Sequence, residues 1–235
     1  MATRPSKPPA LAPRLKLGDE VTRHLRDAIM SGEYAAGQRI RVEELASRLD
    51  VSTMPAREAL TALAIEGLLE SLPRRGYRVV KLTRQEIEDV FLVHAFVAGV
   101  LAERAARVMT PETVAKMRSM HVSVQHVAKL RISLSSRAAR IEEVNFEFHR
   151  LVNRVPDSPR LRWFLRAATR YVPRHYYQSI PTWTDATVAD HPAIIDALER
   201  HDAKLARRLM EQHITRAGQL VVEQFDAQGF WRSGE

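Results

Sequence analysis

Apolar positions change their period along this chain. From Val42 to Leu49 they recur at helical spacing, with Leu45, Ala46 and Leu49 on one side. Asp50-Val51-Ser52 breaks the pattern. It resumes with Ala56, Leu60, Leu63 and Ala64 facing inward and Arg57, Glu58 and Thr61 outward, and it stops at Gly67, the residue a helix C-terminus commonly needs. Ser52 is placed to cap this second helix. Pro55 falls in its first turn, where a missing N–H costs little. Leu68–Leu72 and Tyr77–Val80 read as two short strands joined by Pro73-Arg74-Arg75-Gly76. Two short helices at a tight turn, then a basic hairpin, are the plan of a winged helix-turn-helix. In that plan Ser52, Thr53, Met54 and Arg57 lead the helix that enters a DNA major groove, with Arg41 beside it. Arg74, Arg75 and Gly76 form a wing tip suited to phosphates or the minor groove.

Beyond the short join at Leu82-Thr83 the period is helical throughout, Gly is scarce and no strand is evident. Thr83 and Thr110 are good N-caps, the latter followed by Pro111 and Glu112. The pattern predicts helices near 84–108, 111–129, 133–154, 158–178, 192–200 and 203–227. Their one-sided apolar faces imply an antiparallel bundle. The expected fold is therefore mainly α: a disordered basic tail over 1–16, a winged helix-turn-helix over 17–82, and an all-helical effector-binding and dimerisation domain over 83–235.

Polar residues interrupt the apolar stripes of this second half at informative places. Ile141, Asn145, Phe148, His149 and Val152 share one face, so Asn145 and His149, four apart, stack one above the other. Leu209, His213, Ala217 and Leu220 form a second stripe that carries His213 inward. His191 is expected at a helix start, with Pro192 at the first helical position. Three imidazoles and an amide facing one interior suit zinc, nickel, copper or iron, zinc or nickel foremost, with coordination positions left open. An inward histidine is more often a hydrogen-bonded core residue, so spacing alone leaves both readings open.

Composition narrows the classes. With 45% hydrophobic and 27% charged residues the chain is globular. No apolar run approaches the ~20 residues of a membrane span, and the basic, Pro-rich first sixteen residues lack the apolar core of a secretory signal. A cytoplasmic protein without membrane partners is expected. Cysteine is absent, which excludes disulfides and thiolate metal sites. The net charge of +8 favours polyanionic partners, but residues 1–82 and 83–235 each carry +4. The helix-turn-helix pattern, rather than net charge, points to DNA.

The first half resembles the DNA-binding domain of the GntR family of bacterial regulators. The resemblance rests on Leu45-Ala46, Val51-Ser52, Pro55-Ala56-Arg57-Glu58-Ala59-Leu60, Glu66-Gly67-Leu68 and Arg75-Gly76. Upstream, Leu25–Ile29 and Gly32–Gly37 fit the family's first helix and following loop. Where the family often has Arg after the recognition-helix Ser, this chain has Thr53, so Arg57 is the DNA contact that carries over. The second half is similar to the all-helical FCD ligand-binding domain of the FadR-like branch. That similarity is looser and rests on Asn145, Phe148, His149 and Leu151; His191, Ile194, Ala197 and Leu198; and Ala206, Leu209, Met210, His213 and Ile214. It implies a divalent metal held by Asn145, His149, His191 and His213. Such domains often place Arg and Glu four apart on their first helix to meet an organic acid on the metal. Here those places are His94 and Ala98, and Arg170 and Arg174 are candidate substitutes near Tyr171, Tyr176 and Tyr177.

The expected function is a metabolite-responsive DNA-binding repressor. As a homodimer on a palindromic operator, it would have its two DNA-binding domains respaced by a small organic acid bound at the metal. Two alternatives come from other classes. One is a small metal-dependent enzyme using the three histidines, against which no HExxH-type base is paired with them. The other is a constitutive DNA-binding protein with a structural metal.

Overall fold

The structure is a computed structural model that describes residues 17–128, 130–172, 174–178, 180 and 182–232. The tail expected over 1–16 lies outside the described residues. The chain divides into two compact units, one formed by the residues up to 29 with 37–80, the other by 30–36 with the residues from 81 onward.

The first unit contains α1 (Leu17–Met30, at the unit boundary), β1 (Arg39–Ile40), α2 (Val42–Arg48), α3 (Thr53–Ile65), β2 (Leu69–Leu72) and β3 (Gly76–Val79). Its core is Leu25, Leu45, Ala56, Ala59, Leu60, Leu63 and Leu68, the inward positions of α1–α3 and the residue that follows. Asp50, at φ 52°, reverses the chain between α2 and α3 in the left-handed region that Asp tolerates better than most residues. Ser52 is the N-cap of α3 by backbone, but its hydroxyl makes no capping bond, contrary to the sequence expectation. The reason is local. Pro55 is the third helical residue, and it has no N–H for that hydroxyl to accept. The far end of α3 behaves as expected. Gly67 takes φ 81°, Leu68 N–H bonds Leu63 C=O at 3.0 Å and Gly67 N–H bonds Ala64 C=O at 3.1 Å, a Schellman closure.

The three strands form one antiparallel sheet in the order β1-β3-β2, with Arg39 opposite Arg78 and Leu72 opposite Gly76. The two-residue β1 was invisible to periodicity because two residues have none. It passes so close to the hairpin that a Cβ on Gly76, at φ 88°, would lie 2.6 Å from the Ile40 carbonyl oxygen. Glycine is therefore required there for space as well as for φ. Tyr77 Oη and Thr61 Oγ1, 3.0 Å apart, tie the hairpin to α3.

The second unit contains α4 (Arg84–Val108), α5 (Pro111–Ala128), α6 (Leu134–Arg154), α7 (Pro159–Thr169), α8 (Arg174–Gln178), α9 (Trp183–Glu199), α10 (Ala203–Ala227) and a 3-10 turn (Phe230–Arg232). Thr83 opens α4 with a full capping box to Glu86, and Thr110 accepts the Thr113 N–H at 3.2 Å. The long helices α4 and α10 approach closely over Gly218, where a Cβ would sit 2.6 Å from Phe91 Cγ. No helix among the described residues is long and apolar enough to cross a membrane.

Two helix expectations are corrected. The stretch 158–178 is two helices, α7 and α8, because Val172 precedes Pro173 and a residue before proline is disfavoured in the α region. The helix expected at 192–200 begins nine residues earlier, at Trp183, and contains Pro192 in its interior. An interior proline costs ~3 kcal/mol. Burial of Trp183, His191, Ile194, Ile195 and Leu198 on this helix offsets that cost. His191 consequently projects from mid-helix rather than from a helix start.

Candidate functional site

In the helical unit the three sequence-nominated histidines meet. His149 comes from α6, His191 from α9 and His213 from α10, and one ligand nitrogen from each lies within 4.8 Å of the others. His213 Nε2 is 3.2 Å from His149 Nε2. Its other nitrogen, Nδ1, is 3.1 Å from Asp190 Oδ2, and Asp190 is held in turn by Arg216 Nη1 at 2.8 Å. A carboxylate on Nδ1 fixes the proton there and leaves the Nε2 lone pair facing His149. His191 stacks on Phe148 with ring centroids 3.9 Å apart.

Two buried atoms in this cluster have no hydrogen-bond partner, Asn145 Oδ1 and His191 Nε2. Buried polar groups are nearly always paired, so two lone-pair donors orphaned beside two more imidazoles fit a cation. The spacing also fits. Nitrogens each ~2.0–2.1 Å from a zinc-like ion in tetrahedral geometry are about 3.3 Å apart, close to the 3.2 Å between His149 and His213. Asn145 Nδ2 and Trp183 Nε1 both donate to Glu142 Oε2, at 3.3 and 3.2 Å, and Glu142 is only 3% exposed. This carboxylate orients the amide so that Oδ1 is the free atom. It also places a buried carboxyl group directly beside the neutral Asn.

Burial, reinforced by the neighbouring imidazoles, pushes His149 and His191 well below the ordinary histidine value. The same causes bring His94 down to about 4. Neutral imidazoles present their lone pairs without proton competition. Burial raises the Asp190 carboxyl, but the bonds from His213 and Arg216 outweigh it and leave the group below its usual range.

Glu142, Asn145, His149 and His213 line a cavity of about 350 Å³ together with residues of α4, α7, α8 and α9, a size suited to a small ligand. His94 is on its wall, as nominated. Arg170 is not, because α7 ends at Thr169 and Arg170 is an exposed residue past the end of the helix. The side chain of Arg174 lies outside the described residues. The cavity's arginines are instead Arg150, Arg154, Arg162 and Arg166. The stripe on α10 is also shifted. Met210, His213, Ile214, Ala217 and Val221 are buried, whereas Leu209 and Leu220 are half-buried. Sequence reading missed Glu142 and Asp190, although Asp190 directly precedes His191 and Glu142 lies one turn before Asn145.

In the winged unit Ser52, Thr53, Met54 and Arg57 are all exposed at the start of α3. Arg57, Arg74 and Arg75 line one groove with Arg39 and Arg41, and Glu43 is its lone carboxylate. Arg41 is engaged by Glu44 at 3.4 Å. Arg39, Arg57, Arg74 and Arg75 have no partner among the described residues. Arg74 holds its turn at φ 60°, beside Gly76. Arg39 belongs to β1 and was not nominated from the sequence.

Residues 17–79 match the family described as bacterial regulatory proteins, gntR family, and residues 89–216 match the FCD domain. The HTH-type transcriptional repressor RspR of Escherichia coli is 26% identical, aligned over 96% of this chain and 97% of its own length. The Uxu operon transcriptional regulator of the same species is 26% identical over 87% and 86%. Among solved structures, E. coli McbR/YncC superposes with a TM-score of 0.66 at 18% identity, covering 90% of this chain and all of that one, which supports the fold. The chain belongs to the GntR family of DNA-binding transcriptional regulators, not to an enzyme family, and it pairs the GntR winged unit with an FCD domain.

Proposed function

We propose that this chain is a metal-dependent, effector-responsive repressor that acts in the cytoplasm as a homodimer on a palindromic operator. The observation that carries this reading is the convergence of His149, His191 and His213, with Asn145 Oδ1 and His191 Nε2 left without partners, at a ligand-sized cavity that Asn145, His149 and His213 line. These histidines, with Asn145 as a weaker fourth ligand, would hold a zinc or nickel ion. When bound, that ion would supply a positive centre with open positions for the oxygens of a small organic acid. Repression is supported by the description of RspR as a repressor. Dimerisation is supported by Leu92, Val93 and Phe96, which lie exposed within a single stretch of α4.

The test is a thermal-shift panel of small carboxylates on full-length protein, with and without chelator, followed by operator titration. An active acid raises the melting temperature only when metal is present. If it weakens operator binding by some factor, operator weakens acid binding by the same factor. Stabilisation that survives complete metal removal would overturn the metal-bridged mechanism.

On the DNA side Arg57 and the exposed start of α3 are assigned to the major groove, and Arg74 and Arg75 to the backbone beside it. Replacing both wing arginines with Ala is expected to weaken binding to all sequences alike. The slope of log K against log salt should flatten by roughly 0.9 for each phosphate that the wing no longer neutralises. An unchanged slope would remove the hairpin from the interface.

A further inference from the structure

The cavity has further polar lining residues that the metal-centred reading does not use. Along α6, Asn145, His149 and Asn153 follow one another at four-residue intervals, and Arg154 comes next. All four line the cavity. Asn153 Oδ1 is buried and has no hydrogen-bond partner. Arg166 of α7 reaches the same cavity. The cavity's other two arginines are occupied, Arg150 by Glu147 and Arg162 by the Pro156 carbonyl oxygen at 2.9 Å. Arg154 and Arg166 have no partner among the described residues. The remaining wall includes Phe91, Phe146, Leu165, Val172, Ile214 and Ala217.

We propose that Arg154 and Arg166, with the side chain of Asn153 beside them, form a subsite for a second anionic group on the effector. The effector is then a short dianion, with one acidic group toward the histidines and the other toward these arginines. The inference rests on the proposed metal site for the first of the two groups. Along α6 the rise from His149 to Asn153 and Arg154 is about 6–8 Å. That separation suits acidic groups at the two ends of a chain of about five or six carbons, with an apolar middle against the apolar walls. Each arginine lies in the last turn of its helix, where it also eases the helix dipole. Such an arginine can do so with its side chain in any direction. Both of these line the cavity that Asn153, with its orphaned amide oxygen, also lines. Two unpaired guanidinium groups there favour a carboxylate or a phosphate.

The test compares matched probes on metal-loaded, full-length protein by calorimetry: glutarate and adipate against valerate and hexanoate, with a phosphonate-terminated acid of the same length. The comparison is repeated in an Arg154→Ala/Arg166→Ala variant whose metal content and melting temperature are checked first. The dianions should bind about tenfold or more tightly than the monoanions, and the gap should close in the variant while monoanion affinity is unchanged. A stronger phosphonate than carboxylate preference identifies the second group as a phosphate. Metal-dependent binding with no dianion preference, or a preference that persists in the variant, overturns this subsite and leaves the metal reading standing. If no probe binds in a metal-dependent way, both fall.

Discussion

His213→Ala is expected to abolish stoichiometric metal binding and to remove most of the stability that metal confers. His213 is 4% exposed, shares the 3.2 Å nitrogen pair with His149 and is oriented by Asp190. Without it, His149 and His191 remain with an amide oxygen, too few donors for a tight site. Metal at a hundredfold excess over its dissociation constant stabilises the folded state by about 2.7 kcal/mol. For a domain of this size that corresponds to a melting shift of about 5–10 °C. The measurement is elemental analysis and thermal melting of wild type and variant, each with zinc or nickel and with chelator. Wild type should respond to metal and the variant should not, while the two chelated samples melt close together. Asp190→Asn provides a graded comparison, because removing an orienting partner typically costs 10–100-fold in metal affinity. If the variant retains one metal per chain, His213 is not a ligand; a wild type that takes up no metal, with or without added zinc or nickel, leaves the three histidines as hydrogen-bonding core residues.

Arg57→Ala should remove specific operator binding while leaving the fold intact. Arg57 is exposed on α3 and lines the arginine groove, and its removal breaks no side-chain bond among the described residues. An arginine on a guanine edge is worth about 1–3 kcal/mol. A symmetric dimer loses it twice, for a weakening of roughly 30-fold to 10⁴-fold. The effect should differ in kind from that of the wing arginines. Arg57→Ala should relax discrimination between operator and non-operator DNA, whereas the wing substitutions should lower both affinities together. Fluorescence titration against operator and scrambled duplexes at one salt concentration reads this directly. Equal weakening on both duplexes would move Arg57 from the base edges to the backbone.

The winged helix-turn-helix was legible because its signals are local. Apolar periodicity, the Asp50 break, the Gly67 terminator and the Arg74-Arg75-Gly76 tip all depend on residues within a turn or two of each other. The Ser52 cap failed for an equally local reason, since Pro55 takes away the donor it needed. In the helical half, the stripes on α6 and α10 carried His149 and His213 inward from sequence alone. The reading of Pro192 as a helix start failed because packing around Trp183 and Ile194 overrode a local penalty.

By itself, then, the order of residues determined the fold class, the helix-turn-helix pattern and the inward phase of His149 and His213, since helical phase is set by neighbours in the chain. The tertiary structure alone decided which polar groups meet. Glu142 turns the Asn145 amide, Asp190 orients His213, and Arg154 and Arg166 line one cavity from two different helices. Those meetings depend on the distance and rotation between helices, which arise from side chains packing across the bundle, and no pattern within a single helix records them.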